Sequence, residues 1–395
     1  MKPKIAVVRG HYYSPEELSF YEPLRKDFEM TFFSSVMGSS RKEPGIPVVE
    51  LKCLDGVLSG LSLGLFRKVY GFASNLAGIE AEYMLGLSEM LHGYDIVHSV
   101  DYDYILTYQL SRLKRKLGFK LVAIHWENIP FARDGQLAAR YIKYRTYDGI
   151  DGFFAMSERA RASLIVEGVD ESRIYVTGYG IDTERFKPDP EAGRQWRTRY
   201  GISDEDTVIL FIGRVRGSKG IFELLYALKR LTVDKSIDRR RMRLVIAGRG
   251  PREKEVSEMT VRLGLEENVL RLGYISHSDI HNVHNMADVF CLPSVPRKFW
   301  QEQLGLVFLE AMACGKPVVS TLSGSIPEVV GDAGILVQPN DHLSLYEGLK
   351  SLITNPTLYQ ELAARTRDRA VSRFGPEAIA KRLKESYLRT LARQE

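Results

Sequence analysis

The sequence predicts an α/β chain of two doubly wound domains, on three observations. Short apolar runs alternate with longer amphipathic stretches from end to end. Runs such as Val208-Ile209-Leu210-Phe211-Ile212 and Leu244-Val245-Ile246-Ala247 are apolar on both faces, as strands inside a helix-covered parallel sheet must be. The pattern occurs twice, and 395 residues are too many for one ordinary core.

Strands are expected at 4–8, 28–33, 95–98, 119–124, 152–156 and 173–177 in the first half. The second half offers 207–212, 242–247, 288–292, 317–320 and 334–337. The boundary falls near 180–190, where Lys187-Pro188-Asp189-Pro190 interrupts regular structure. The expected domains are therefore 1–182 and 183–375. Three helices close the chain at about 341–354, 356–373 and 375–393, and the last (376–395) is expected to return to the first domain.

Composition narrows the function. A hydrophobic share of 44% and a charged share of 27% are those of a soluble globular protein. Residues 1–185 carry 23 Lys/Arg against 24 Asp/Glu, and the remainder 32 against 26. That mild excess suits an anionic small ligand and falls short of a nucleic-acid protein. Cys53, Cys291 and Cys314 stand far apart, which disfavours a disulfide framework or a thiolate zinc site and suggests a reducing compartment. The opening Ile5-Ala6-Val7-Val8 is too short for a signal peptide, and no apolar run reaches bilayer length. A cytoplasmic location follows as an expectation.

Four stretches of the second half follow strand ends, where open parallel sheets bind ligands. Gly213-Arg214-Val215-Arg216-Gly217-Ser218-Lys219-Gly220 puts Arg214 and Lys219 on a glycine-rich turn that opens a helix. Arginine can fork onto phosphate oxygens and lysine adds a point charge, so the pair reads as a phosphate cradle, although it is no Walker A loop. Solvated surface is the bland alternative. Gly248-Arg249-Gly250-Pro251 supplies two glycines of a dinucleotide fingerprint without the third, and Gly273-Tyr274-Ile275 offers backbone to a nucleobase.

The fourth stretch, Glu302-Gln303-Leu304-Gly305-Leu306 through Glu310 to Gly315-Lys316-Pro317, is the most informative. Amides of Leu304, Gly305 and Leu306 at a helix start would attract an anion. Glu310 could accept from a ribose diol and Glu302 from sugar hydroxyls. A carboxylate pair also suits glycoside hydrolysis, but that reaction has no need of a phosphate cradle. Two solvated glutamates on a helix are the bland alternative.

Glu302–Glu310 resembles the E-x7-E motif of the retaining glycosyltransferases of group 1, family four, which have the GT-B fold. The likeness continues through Glu310-Ala311-Met312-Ala313-Cys314-Gly315-Lys316-Pro317-Val318-Val319 and Gly324-Ser325-Ile326-Pro327-Glu328. It takes in Gly213-Arg214, Lys219-Gly220, Gly248-Arg249-Gly250-Pro251 and Gly273-Tyr274, and is dense from about 175 to 345. In the first half it rests on Arg9-Gly10, Asp95-Ile96-Val97-His98, Leu121–His125 and Ser157-Glu158. Gly10 is followed by His11 where many members have a second glycine, and Gln303 and Ser325 stand where glycine is common.

The resemblance implies two Rossmann-like domains facing across a cleft, the first on the acceptor side and the second binding the nucleotide sugar. It implies Arg214 and Lys219 on the donor diphosphate, Glu310 on the ribose, Glu302 on the sugar, and His125 near the transferred sugar. Gly10, Gly248, Gly250, Tyr274, Ile275, Leu304, Gly305 and Leu306 would line the donor site. No cofactor or catalytic metal is expected, the donor being a nucleotide-diphosphate sugar and the acceptor a glycan or lipid-linked hydroxyl. An epimerase or hydrolase on the same fold and a non-catalytic sugar-nucleotide sensor stay open. A dehydrogenase is disfavoured, since no G-x-G-x-x-G opens either domain.

Three further features carry expectations. His277, His281 and His284 fall at i, i+4 and i+7 and read as a solvated helix face rather than a zinc site. Arg112, Lys114, Arg115, Lys116 and Lys120 read as a solvated helix end, with anionic lipid or a charged acceptor as the alternative. Segment 54–76 carries seven large apolar residues from Leu54 to Phe66, then Arg67 and Lys68. It reads as core of the first domain, or as a lip for peripheral contact at the inner membrane face.

Overall fold

Ile5 and Val7 enter one apolar cluster while Ala6 and Val8 enter another, so the first strand is buried on both faces. A computed structural model describes residues 1–40, 45–54 and 82–393. The seven strands of the first sheet are β1 Lys4–Gly10, β2 Glu29–Ser34, β3 Val48–Glu50, β4 Ile96–Asp101, β5 Lys120–His125, β6 Gly152–Ala155 and β7 Ile174–Val176. Their order is β3-β2-β1-β4-β5-β6-β7, with every neighbouring pair parallel. The second sheet holds β8 Thr207–Ile212, β9 Met242–Ala247, β10 Val269–Gly273, β11 Val289–Leu292, β12 Val318–Thr321 and β13 Gly334–Val337. Its order is β10-β9-β8-β11-β12-β13, again all parallel.

Both orders reverse direction once, between β1 and β4 and between β8 and β11. Such reversals open a crevice at the strands' carboxyl ends. Two strands lie beyond the expected set, and both sit at sheet edges. β3 is three residues long, and β10 interleaves Arg271 with its apolar residues and stays half-exposed. Neither carries a continuous apolar run, β3 being short and ending in Glu50 and β10 being broken by Arg271.

The chain divides into two units, Met1–Gly180 with Pro376–Glu395, and Ile181–Gly375. Lys187-Pro188-Asp189-Pro190 does more than interrupt. Asp189 caps the helix Pro190–Arg199 by accepting from the Ala192 amide at 2.9 Å, and Pro190 takes the first helical position.

The closing helix Pro376–Ala392 packs on the first sheet through Ile379, Ala380, Leu383 and Tyr387. Each large apolar side chain so buried contributes about 1.5–3 kcal/mol. Tyr387 Oη also lies 2.6 Å from His98 Nδ1, beside a buried network centred on Arg9. Arg9 donates to Glu17 Oε2 at 2.9 Å, to Tyr21 Oη at 2.7 Å and to the Ser99 carbonyl at 3.2 Å. A buried guanidinium persists only when its donors are matched in this way.

Segment 54–76 lies outside the described residues except for Leu54, which is 38% exposed. The basic cluster is a solvated end only in part. Arg112, Arg115 and Lys116 are exposed, whereas Lys114 pairs with Asp151 at 2.7 Å and Lys120 with the same carboxylate at 3.7 Å. Asp151 is itself fixed by the Leu121 amide, which donates to its Oδ2 at 2.6 Å.

Candidate functional site

The loops leaving β8 and β9 zip together through glycine. Gly213 donates to the Ala247 carbonyl at 3.0 Å, and Val215 to the Arg249 carbonyl at 3.0 Å. A Cβ on Gly248 would run into the Gly213 carbonyl, and one on Gly250 into that of Val215. These two glycines therefore act by close approach. The Gly250 amide is taken by Glu253 Oε1 at 2.7 Å, and that of Gly248 by the Gly273 carbonyl at 2.7 Å. Both amides are thus engaged within the protein, and the two glycines shape the site through the close approach of its loops.

Arg214 is exposed and, among the described residues, its guanidinium has no ion pair or hydrogen bond. It lines a hollow of about 250 Å³ with Gly248, Arg249, Tyr274 and Ile275, at the carboxyl ends of β8, β9 and β10. Four expected site residues thus meet in one place.

Lys219 ends the short 3₁₀ turn Gly217–Lys219. Gly220 follows at φ +71°, where a Cβ would collide with the Pro293 carbonyl, so only glycine lets this turn press against the end of β11. Lys219, unlike Arg214, is only partly exposed. Lys219 Nζ lies 2.7 Å from Glu302 Oε2, with side chains 17% and 8% exposed. Ser294 Oγ donates to the same oxygen at 2.7 Å.

Glu302 is fixed from the backbone too, since the Ser325 amide donates to its carbonyl at 2.9 Å over Gly324, which has no Cβ to block the approach. Gly305, at φ +73°, then opens the helix Leu306–Ala313. Among the described residues the amides of Leu304, Gly305 and Leu306 donate to no protein acceptor, as expected of a helix start.

Glu310 lies inside that helix and is 9% exposed. Its Oε2 is 3.0 Å from His284 Nε2, and His284 is fully buried. The solvated histidine face is therefore corrected. The helix covers only Ile280–Asn285, so His277 lies outside it, and His284 points inward to orient a carboxylate. Trp300 was not foreseen either. Arg216 stands 4.8 Å and Lys219 4.9 Å from its ring centroid.

In the first unit, Gly10 ends β1 at φ +57°, and a Cβ there would run into the Glu82 carboxylate. Glu82, 4% exposed, accepts from the His11 amide at 2.9 Å and from Ser35 Oγ, and lies 2.8 Å from His11 Nδ1. Gly10 thus makes room for a carboxylate that no motif had marked.

His125 ends β5, 2% exposed, and neither ring nitrogen has a hydrogen-bond partner among the described residues. Burial pushes its pKa down to about 4, so the imidazole is neutral. Asp101 Oδ1 is 3.9 Å from His125 Nδ1, and burial followed by the nearby Asp103 charge holds the Asp101 carboxyl well above the usual range. Asp103 pairs with Arg133 at 2.8 Å. Arg214, Lys219, Glu302 and Glu310 all belong to the second unit, and His125 and Gly10 to the first.

The family described as "Glycosyl transferases group 1" matches residues 193–369, and "Glycosyltransferase Family 4" matches 57–185. The chain is 34% identical over 279 residues to a GDP-mannose-dependent alpha-(1-6)-phosphatidylinositol monomannoside mannosyltransferase of Mycolicibacterium smegmatis, covering 62% of this chain and 71% of the relative. It is 25% identical over 324 residues to the N-acetyl-alpha-D-glucosaminyl L-malate synthase of Bacillus anthracis, covering 74% and 81%. In fold it resembles Anabaena HepE, solved with UDP, at a TM-score of 0.73 and 19% identity over 98% of this chain and all of the other. No helix among the described residues is long and apolar enough to cross a membrane. The chain therefore belongs to the group 1 glycosyltransferases, with the GT-B fold, and transfers glycosyl groups from nucleotide sugars.

Proposed function

We propose that this glycosyltransferase works with retention and without a catalytic metal, through a donor site in the second unit. Arg214 and Lys219 neutralise the diphosphate as the glycosidic C1–O bond breaks, joined by the amides of Leu304, Gly305 and Leu306. The hollow beside Tyr274 and Ile275 takes the base, Glu310 the ribose and Glu302 the sugar. His125 is assigned to the transferred sugar from the family resemblance. The acceptor hydroxyl attacks from the leaving-group face, and a donor phosphate oxygen takes its proton, so no protein nucleophile is needed.

The observation that carries this reading is the meeting of Lys219, Ser294 and Glu302 where β8 and β11 end, at the reversal of strand order. Glu302 offsets part of the Lys219 charge, so Arg214, unpaired among the described residues, has the larger net field on a diphosphate. The acceptor is a glycan or a lipid-linked sugar. The mycobacterial relative's name supports the lipid-linked class, and the apolar and basic residues of 54–76 support peripheral membrane contact. The test is the anomeric configuration of the product by NMR, with a UDP-, GDP- and ADP-sugar panel. Retention supports the reading, and inversion overturns it.

A further inference from the structure

The stretch between β11 and the helix Leu306–Ala313 turns back on itself at Arg297–Trp300. Arg297 N donates to Trp300 O at 2.7 Å, and Trp300 N to Arg297 O at 3.2 Å. This closed turn carries the indole to two cations of the β8 loop. The Arg216 guanidinium carbon is 4.8 Å and Lys219 Nζ 4.9 Å from the ring centroid, both inside the roughly 6 Å within which an aromatic face attracts a cation. Arg216 Nε is buried and has no hydrogen-bond partner among the described residues, which leaves the ring face as compensation for that edge of the guanidinium.

A lysine on a four-carbon stem has several rotamers, and fixing one costs entropy. Here Glu302 engages the ammonium at one point and the indole at another. Two contacts, from residues two apart in one loop, define one position where a single ion pair would allow a swing.

We propose that Trp300 is a positioning residue for glycosyl transfer, its ring face holding Lys219 and Arg216 in place for the donor diphosphate. The proposal rests on the assignment of Lys219 to that diphosphate. Electrostatic stabilisation works only if the charge is in place before the bond breaks, so a loosened Lys219 lowers kcat more than it weakens donor binding.

The test uses the full chain with Trp300→Leu, Trp300→Phe and Lys219→Met. Leucine fills space without a charged-face attraction, whereas phenylalanine keeps that face in weaker form. Trp300→Leu should lower kcat about five- to thirtyfold, the range of a partly desolvated cation–π contact, with KM for the nucleotide sugar changed less than about twofold. Trp300→Phe should recover most of that loss.

A Trp300→Leu enzyme within twofold of wild-type kcat overturns the proposal, as does equal impairment of both variants. Lys219→Met separates the two levels: if it retains wild-type turnover, the diphosphate assignment itself fails. The same variant gives a reading even if Trp300→Leu does not fold. Of the three indole N–H signals in a ¹H–¹⁵N spectrum, that of Trp300 should move most between wild type and Lys219→Met, and an unmoved Trp300 signal contradicts the contact.

Discussion

Lys219 Nζ and Ser294 Oγ converge on one atom, Glu302 Oε2, each at 2.7 Å. Two residues drawn from motifs 83 positions apart are thus a single ion pair. The pair makes the two donor-site cations unequal. Lys219→Ala should lower turnover about a hundredfold and also cost about 2 kcal/mol of stability, because a carboxylate 8% exposed loses its cation. Arg214→Ala should lower turnover comparably while stability stays within about 0.5 kcal/mol. Denaturant melts beside kinetics check this, and equal stability losses in the two variants contradict it.

His284 should matter although it faces no solvent. Its Nε2 orients the Glu310 carboxylate at 3.0 Å, so His284→Leu should leave that carboxylate mis-set and cost about 2 kcal/mol in stability. Nucleoside diphosphate affinity should drop about tenfold, read by calorimetry. Unchanged affinity in a folded His284→Leu protein would separate Glu310 from ribose binding.

His125 predicts a pH dependence with a definite sign. Its folded pKa, about 4, lies below the unfolded value near 6.5, so the unfolded chain binds the extra proton. Stability from this group is full above about pH 6.5 and is lost as pH falls toward 4, on the order of 3 kcal/mol in all. Asp101, pushed up by burial and Asp103, acts in the opposite sense: its contribution is present at low pH and lost as pH rises through its folded value. The difference between wild type and His125→Asn isolates the histidine, since Asp101 is common to both. That difference should shrink from pH 7 to pH 4, and a flat difference would show His125 is not held neutral.

Transfer should survive EDTA, because Arg214 and Lys219 supply the positive charge on the diphosphate. Loss of activity on chelation, restored by magnesium or manganese, would turn attention to Asp101 and Asp103 instead.

Strands apolar on both faces were legible because a buried parallel strand leaves no polar position, as in Val208–Ile212. β3 and β10 were not, since β3 is three residues ending in Glu50 and Arg271 breaks the apolar run of β10. His284 was misread because helical spacing tells which residues share a face and not whether the face looks inward. Its partner Glu310 lies 26 residues away, beyond any local pattern. Lys219 and Glu302 could be named from their motifs, but their pairing depends on two loops meeting at Gly220 and Pro293. Glu82 and Trp300 had no motif at all. Each acts through a contact across loops.

The most direct measurement is nucleoside diphosphate release from a panel of nucleotide sugars, with acceptor present, for wild type and Arg214→Ala. Wild type should release one diphosphate per sugar transferred, with the strongest turnover on one donor base. Arg214→Ala should fold normally, bind that nucleotide diphosphate more weakly and turn over about a hundredfold more slowly. Near-normal turnover by Arg214→Ala would contradict cation-assisted departure of the diphosphate in the second unit.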